Sequence, residues 1–302
     1  MQWRWWIYQR ERFPIVAHGP LIAAFSFCAV SLSTQLRGEQ RLSPAALVVA
    51  FVTCLLFFLQ LRIADEFKDF DEDLRYRPYR PVPRGLVSLR ELGILFIGSA
   101  VIQLALAVWL APPLVILLVI AWVYLGLMSR EFGMRDFLKA RPLAYLVSHM
   151  MIMPLVDLYA TGTDWMVAGE GMPKSMWWFL AASFFNGMSL DLGRKIRSPA
   201  DEEVGVPTYS VLWGTGWAVT AWWFFLAASM ACAVAVAASL NMLWQLMILY
   251  SLLLTGCTIV GIRFVRSPYP GRGRQIEALT FFWTLGLYLG LGLMPLLIGG
   301  SH

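Results

Sequence analysis

The sequence predicts an all-α membrane protein, a bundle of nine transmembrane helices around a central cavity with its N-terminus in the cytoplasm. The chain has 302 residues, of which 59% are hydrophobic and 14% are charged. A soluble domain carries about 25% charged residues. The deficit extends along the whole chain, and apolar runs near the length of a bilayer crossing recur through it. We therefore expect a single transmembrane domain over residues 1–302, embedded in a lipid bilayer.

Nine apolar segments account for the expected bundle. The predicted spans are residues 16–36, 44–63, 91–110, 113–129, 142–161, 176–192, 211–236, 241–262 and 277–298. Spans 1–4 and spans 5–8 each place an acidic segment after their second helix. This recurrence favours the hypothesis that the two sets are diverged halves whose acidic segments meet at the cavity.

The basic residues predict the orientation. With these spans, 21 of the 24 Lys and Arg residues fall on the side of the N-terminus, and only Arg37, Arg41 and Lys174 fall on the other. Because basic loops remain in the cytoplasm, we expect the N-terminus and the acidic loops there, in a plasma or inner membrane if the source is bacterial. The basic residues flank spans and form no continuous stripe, so nucleic acid is not an expected partner.

An acidic cluster follows the second predicted span. Asp65, Asp69 and Asp73 are spaced i, i+4 and i+8, which places three carboxylates on one face of a helix. Like charges at this spacing repel each other unless a cation neutralises them. Since Mg²⁺ takes oxygen ligands and bridges carboxylates to phosphates, we predict that these three residues bind Mg²⁺, with Glu66 as a candidate fourth ligand.

A segment rich in arginine and proline follows directly, at residues 75–85. Arginine makes bidentate contacts with phosphate oxygens, so Arg80 and Arg84 are candidate ligands of a diphosphate. Carboxylates for a metal followed by arginines for phosphate favour a diphosphate ester as the substrate. The alternative is a solvated loop of mixed charge, and the regular carboxylate spacing argues against it.

A second charged cluster closes the sixth predicted span. Asp191 lies near the membrane interface, where an ionisable residue is costly and often functional. Arg194 and Lys195 follow it and are further candidates for binding diphosphate. Asp201 lies beyond them, and either Asp191 or Asp201 is expected to supply a second metal site. A charged connecting loop is the alternative here.

The first cluster resembles the first motif of the UbiA superfamily of intramembrane prenyltransferases, which have nine helices and two aspartate-rich motifs at the cytoplasmic ends of helices two and six. That motif reads Asn-Asp-x-x-Asp-x-x-x-Asp and is followed by Arg-Pro-x-Pro-x-Gly. Residues 65–73 match it except at the first two positions, where Asp65 and Glu66 stand, and residues 80–85 match the tail.

The second cluster matches the family less completely. The second family motif reads Asp-x-x-x-Asp and is often followed by Gly-x-x-Thr. Asp201, Gly205 and Thr208 fit its later part, whereas Arg197 stands where the first aspartate is expected. The resemblance also implies a tyrosine and a basic residue at the end of helix four that contact diphosphate, and Tyr124 and Arg130 match these positions.

The resemblance implies Mg²⁺-dependent transfer of a prenyl group from a prenyl diphosphate to a lipophilic or aromatic acceptor, such as a quinone precursor, inside the membrane. The residues implied to be catalytic are Asp65, Asp69, Asp73, Asp191 and Asp201. Two alternatives stay open. One is a membrane terpene cyclase that acts on the same diphosphate without an acceptor, and the other is an ion or solute transporter that uses Asp157 within the fifth span.

Overall fold

The computed structural model describes residues 2–203, 205–206 and 208–298, and within these ranges the ordered elements are helices. They are α1 (Gln2–Arg12), α2 (Ile15–Leu36), α3 (Pro44–Lys68), α4 (Phe70–Tyr76), α5 (Leu89–Leu110), α6 (Leu114–Ser129), α7 (Arg135–Lys139), α8 (Pro142–Met150), α9 (Ile152–Trp165), α10 (Met176–Arg194), α11 (Tyr209–Trp213), α12 (Thr215–Ser239), α13 (Leu243–Arg266), α14 (Arg272–Gly292) and α15 (Met294–Ile298). Two short 3₁₀ helices cover Glu131–Gly133 and Pro199–Asp201.

Six helical segments of the described chain are long and apolar enough to cross a membrane, namely α2, α3, α5, the α8–α9 segment, α12 and α13. Helix α6 is apolar but has only 16 residues. Helices α10 and α14 overlap the sixth and ninth predicted spans, but each carries charged residues at one end. The all-helical membrane architecture is therefore confirmed, while the count of nine spans stays a prediction.

Proline explains two places where the helices differ from the predicted spans. The fifth span, predicted as one helix, breaks at Met151 between α8 and α9. Pro154 has no N–H to donate to the carbonyl of Met150, and its ring crowds that carbonyl. Pro295 has the same relation to Leu291, and α14 ends at Gly292, so the ninth predicted span is also divided.

Helix α9 lies beside both helices that carry the predicted sites, because α3 and α10 each pack against it. Helix α2 packs against α3, α9 and α14. Small residues permit the closest approaches. A Cβ atom at Gly292 would lie 2.4 Å from the Cα atom of Cys28, so α14 and α2 meet almost backbone to backbone.

Buried polar contacts fix α2 to α9 at the end of the bundle away from Asp65. The Asp164 carboxylate accepts hydrogen bonds from the hydroxyls of Ser33, at 2.7 Å, and Thr34, at 2.9 Å. The guanidinium of Arg37 donates to both carboxylate oxygens, at 2.9 and 3.0 Å. Arg37 also reaches the more exposed Glu170, at 2.7 Å.

Replacing Asp164 by alanine is expected to lower the free energy of unfolding by about 3–5 kcal/mol, because the partly buried Arg37 loses both of its bonds to this carboxylate and the buried hydroxyls of Ser33 and Thr34 lose their acceptor. Denaturant unfolding in detergent micelles measures this loss. The matched variant Glu170→Ala removes the exposed partner of the same arginine and should cost less than about 1 kcal/mol. Equal losses in the two variants would contradict this account of the α2–α9 contact.

Candidate active site

The ends of α3 and α10 meet at one end of the bundle, on either side of Tyr145 at the start of α8. Lys68, the last residue of α3, donates a 2.7 Å hydrogen bond from Nζ to the Tyr145 hydroxyl. The Nζ atom of Lys195, directly after α10, lies 5.9 Å from the centroid of the same ring. The packing thus brings the two charged clusters of the sequence together.

The carboxylate stripe predicted at the end of α3 keeps its helical register. The N–H of Asp69 donates to the carbonyl of Asp65 at 2.9 Å, and the N–H of Asp73 donates to the carbonyl of Asp69 at 2.8 Å. Asp69 itself leaves helical geometry, with φ −96° and ψ 6°, and separates α3 from α4. The i, i+4, i+8 spacing therefore continues across a break in the helix.

Asp65 and Asp69 are the least neutralised members of this stripe. The Asp65 side chain is 44% exposed, and its nearest cation is Arg62, at 3.6 Å. Asp69 is partly buried, and in the described part of the chain no hydrogen bond or ion pair reaches its carboxylate. Burial raises the pKa of the Asp69 carboxyl, Lys68 opposes this shift, and Asp65 adds to it. A cation bound here would relieve this repulsion.

Arginines neutralise the two other carboxylates of the first cluster that were predicted to bind metal. Asp73 is buried, with Oδ1 2.9 Å from Nε of Arg77 and Oδ2 2.6 Å from Nη1 of Arg80. Glu66 is also buried and forms an ion pair with Arg12 of α1. In this arrangement Asp73 orients Arg80, and Glu66 ties α1 to the end of α3.

Asp191 is buried at the end of α10, and its carboxylate accepts hydrogen bonds from three donors. Arg194 Nη2 and Lys195 Nζ each lie 3.0 Å from one of its oxygens, and the Tyr209 hydroxyl donates to Oδ2 at 2.8 Å. Burial raises the pKa of the Tyr209 hydroxyl, and the charge on Asp191 raises it further. The tyrosine therefore remains protonated and donates to Asp191 throughout the physiological pH range.

Asp201 has a different set of partners. Its Oδ2 accepts hydrogen bonds from the Ser198 hydroxyl and from the N–H of Gly271, the latter at 2.7 Å. These bonds lower the pKa of the Asp201 carboxyl. Gly271 has a left-handed φ of 80° and directly precedes α14. Asp201 thus anchors the α13–α14 loop, and its role as a metal ligand stays a prediction.

The remaining predicted diphosphate ligands lie in varied surroundings. Arg84 is exposed, and it pairs with Glu11 of α1 at 3.0 Å. Arg130 is exposed at the end of α6. The Tyr124 hydroxyl donates to the carbonyl of Ser148 at 2.6 Å. Of the basic residues singled out in the sequence, Arg194 and Lys195 lie where the two clusters meet.

Sequence reasoning missed Lys68, Tyr145 and Tyr209. Lys68 carried a signal, since it is a lone cation between the carboxylates of Glu66 and Asp69. The two tyrosines carried none, because their position depends on how α8 and α11 pack beside α10.

The carboxylates at this end of the bundle suit a metal that is bound partly by its substrate. Among the described residues, no group of three or more His, Cys, Asp or Glu side chains is placed to hold a metal ion. Asp65 and Asp69 supply two carboxylates one helical turn apart. Mg²⁺ is commonly bound by one or two carboxylates together with water and substrate phosphates, so this donor set fits Mg²⁺ with a diphosphate.

Comparisons with known proteins agree on one family. The UbiA prenyltransferase family matches residues 24–286. The 4-hydroxybenzoate octaprenyltransferase of Dechloromonas aromatica (strain RCB) is 31% identical over 149 residues, which are 49% of this chain and 47% of that protein. The similarity thus spans about half the length of this curated relative.

Two solved structures share the fold. The apo structure of a UbiA homolog from Aeropyrum pernix K1 has a TM-score of 0.67 and 17% identity, and the match covers 92% of this chain and 97% of that one. A UbiA homolog from Archaeoglobus fulgidus bound to DMAPP and Mg²⁺ has a TM-score of 0.56 and 15% identity, over 93% of this chain and 98% of that one.

The variant Tyr209→Phe removes a neutral donor from the buried Asp191 carboxylate. We expect the free energy of unfolding to fall by about 1.5–3 kcal/mol, the range for a hydrogen bond to a charged group. Tyr269→Phe is the matched control, because Tyr269 is exposed before α14, and a surface change of this kind should alter the free energy by no more than about 0.5 kcal/mol. If both variants unfold like the wild type, Tyr209 does not stabilise Asp191.

Proposed function

The chain belongs to the UbiA prenyltransferase family, and we propose that it transfers a prenyl group from a prenyl diphosphate to a lipophilic or aromatic acceptor within the membrane, with Mg²⁺ as its cofactor. One observation carries the proposal. The carboxylates of Asp65, whose nearest cation is Arg62 at 3.6 Å, and of Asp69, which no ion pair reaches among the described residues, lie at the same end of the bundle as the cations Arg194 and Lys195. Metal-binding oxygens beside phosphate-binding cations are what a diphosphate ester requires.

The proposed reaction separates charge at this end of the bundle. The bond between the allylic carbon and the diphosphate oxygen breaks, and both electrons leave with the diphosphate. The acceptor then donates an electron pair to the allylic carbon and gives up a proton to the departing diphosphate or to water. Mg²⁺ held by Asp65 and Asp69 would neutralise the leaving diphosphate as a Lewis acid.

Arg194 and Lys195 would stabilise the negative charge as it develops. Asp191 takes one hydrogen bond from each of them, which leaves further N–H groups on both side chains free to reach the diphosphate. Fixed donors of this kind stabilise a transition state because they need no reorganisation during the reaction. Asp191 and Tyr209 would therefore act as positioning residues.

Two relatives support the donor and acceptor classes. The Archaeoglobus fulgidus homolog is described as bound to DMAPP, a prenyl diphosphate, and Mg²⁺. The Dechloromonas aromatica relative is named for octaprenyl transfer to 4-hydroxybenzoate, an aromatic acceptor. The prenyl groups of these two relatives differ in chain length. We therefore propose the class of prenyl diphosphates as the donor, without a specific chain length.

The proposed enzyme has a defined orientation in the membrane. With α6, α10 and α14 added to the six apolar segments, the bundle would have nine spans, as the sequence predicts. The charged end formed by α3 and α10 would then face the cytoplasm, as the distribution of basic residues predicts. A water-soluble diphosphate would leave on that side while the prenyl chain remained in the membrane.

A buried carboxylate favours a terpene cyclase as the second candidate. Asp157 is fully buried in α9, the Tyr288 hydroxyl donates to its Oδ2 at 2.8 Å, and Oδ1 has no hydrogen-bond partner among the described residues. In a cyclase, the cation would close on a double bond of its own chain. A C–H bond would then break, its electrons would form an alkene, and Asp157 would take the proton.

Asp69→Ala should lower Mg²⁺-dependent release of diphosphate from prenyl diphosphates by at least ~100-fold, an effect on the scale of losing one group that stabilises transition-state charge. The assay uses purified protein and a panel of prenyl diphosphates of different length. Asp71→Ala is the matched control, because Asp71 is exposed in the same acidic segment, and it should retain activity. Unchanged release by the Asp69 variant would refute the metal assignment.

The mass of the product separates the two candidate reactions. With a prenyl diphosphate and an aromatic acceptor, a transferase yields the acceptor plus the prenyl group minus one hydrogen. We expect this product by mass spectrometry, and we expect no prenyl product when the acceptor is omitted. An intramolecular hydrocarbon or alcohol formed from the diphosphate alone would instead support the cyclase.

A further inference from the structure

Three cations surround the ring of Tyr145 and the Asp191 carboxylate. Lys68 Nζ lies 5.1 Å and Lys195 Nζ lies 5.9 Å from the centroid of the Tyr145 ring. Arg194 shares Asp191 with Lys195. These residues come from α3, from α10 and from the start of α8, so the cluster exists only in the folded bundle. We call Lys68, Tyr145, Arg194 and Lys195 the cationic cradle.

The cations of the cradle use only some of their N–H donors in hydrogen bonds to the protein. An ammonium group has three N–H donors and a guanidinium has five. Lys195 and Arg194 each give one hydrogen bond to Asp191, and Lys68 gives one to the Tyr145 hydroxyl. All three cations therefore retain N–H groups that can bind the oxygens of an anion.

The carboxylate at the cradle is already satisfied. Asp191 is buried, and its two oxygens accept from Arg194, Lys195 and the Tyr209 hydroxyl. To bind a metal ion as well, Asp191 would have to release these donors, and the metal ion would lie next to two cations. The second cluster thus has the electrostatics of an anion site, which disagrees with its predicted role as a metal site.

The backbone holds a carboxylate in place beside Lys68. Glu131 is buried, and its Oε1 lies 3.8 Å from Lys68 Nζ. Glu131 and Phe132 both have left-handed φ angles, 50° and 54°, which residues other than glycine rarely adopt. Strain of this kind persists where the surrounding structure fixes it, often at functional sites. Glu131 thus lies within ion-pair distance of both Lys68 and Arg135.

We propose that the cationic cradle binds the diphosphate directly, without a metal ion, and that the site holds one divalent cation, between Asp65 and Asp69, in place of two. This inference rests on the proposed function for the identity of the ligand. It assigns Lys68 and Tyr145 to the diphosphate site, and it gives Arg194 and Lys195 the role of binding diphosphate in place of a second metal ion. The cradle would hold the diphosphate from one side and the carboxylate-bound metal from the other.

Calorimetry with inorganic diphosphate tests the cradle. Purified protein with excess EDTA should bind diphosphate, and Lys68→Met and Lys195→Met should each weaken binding roughly ten- to a hundred-fold, the equivalent of one charge-assisted hydrogen bond. Lys68→Arg keeps the charge and should retain most of the affinity. The matched control is Lys139→Met, because Lys139 of α7 pairs with Glu72 of α4, and it should bind like the wild type.

Counting Mn²⁺ ions tests the stoichiometry. Electron paramagnetic resonance of the protein saturated with diphosphate and Mn²⁺ should give one bound ion per chain, and Asp69→Ala should lose it. Two ions per chain, or diphosphate binding that requires the metal, would overturn the inference. Because Lys195→Met also disturbs Asp191, its thermal unfolding is compared with that of the wild type. Lys68→Met leaves Asp191 intact, so normal affinity in this variant would refute the cradle.

The two proposals fail in different ways. If the cradle is wrong but prenyl transfer is right, diphosphate binds only with metal while the prenylated acceptor still forms. If prenyl transfer is wrong, no prenylated product forms, although inorganic diphosphate still binds in EDTA.

Discussion

Repulsion between carboxylates at the end of α3 is the constraint on which the site depends. Asp65, Asp69 and Asp73 keep a helical spacing beside a membrane, where uncompensated charge is costly. Arg77 and Arg80 neutralise Asp73, whereas Asp69 has no ion-pair partner in the described part of the chain. The negative charge that the protein leaves uncompensated is thus concentrated at Asp65 and Asp69, where a divalent cation is expected.

The end of α10 has the opposite balance of charge, with more cations than carboxylates. At the end of α10, the charge of Asp191 is outnumbered by those of Arg194 and Lys195, and Tyr209 adds a neutral donor. Helix α9 packs against both α3 and α10, so the packing of three helices sets the separation between the proposed metal-binding side and the proposed anion-binding side. A diphosphate needs both, since its charge exceeds what one divalent cation neutralises.

Much of the fold could be predicted from the sequence because membrane helices are governed by length and hydropathy. The breaks at Met151 and Leu293 were missed, since a proline inside an apolar run changes the backbone without changing the hydropathy. The carboxylate stripe could also be predicted from spacing alone. Spacing alone does not show which side chain pairs with each carboxylate. Asp73 and Glu66 proved to be paired with arginines, and Tyr145 and Tyr209 reach the site through packing between distant helices.

A structure determined with Mn²⁺ and a non-reactive prenyl thiodiphosphate would test the central claim most directly. The account predicts one anomalous scattering peak within about 2.3 Å of carboxylate oxygens of Asp65 and Asp69, at the bond lengths of small hard cations. It also predicts diphosphate oxygens in contact with Lys68 and Lys195. A metal peak bound to Asp191 or Asp201, or a diphosphate away from both sides of the site, would contradict the account.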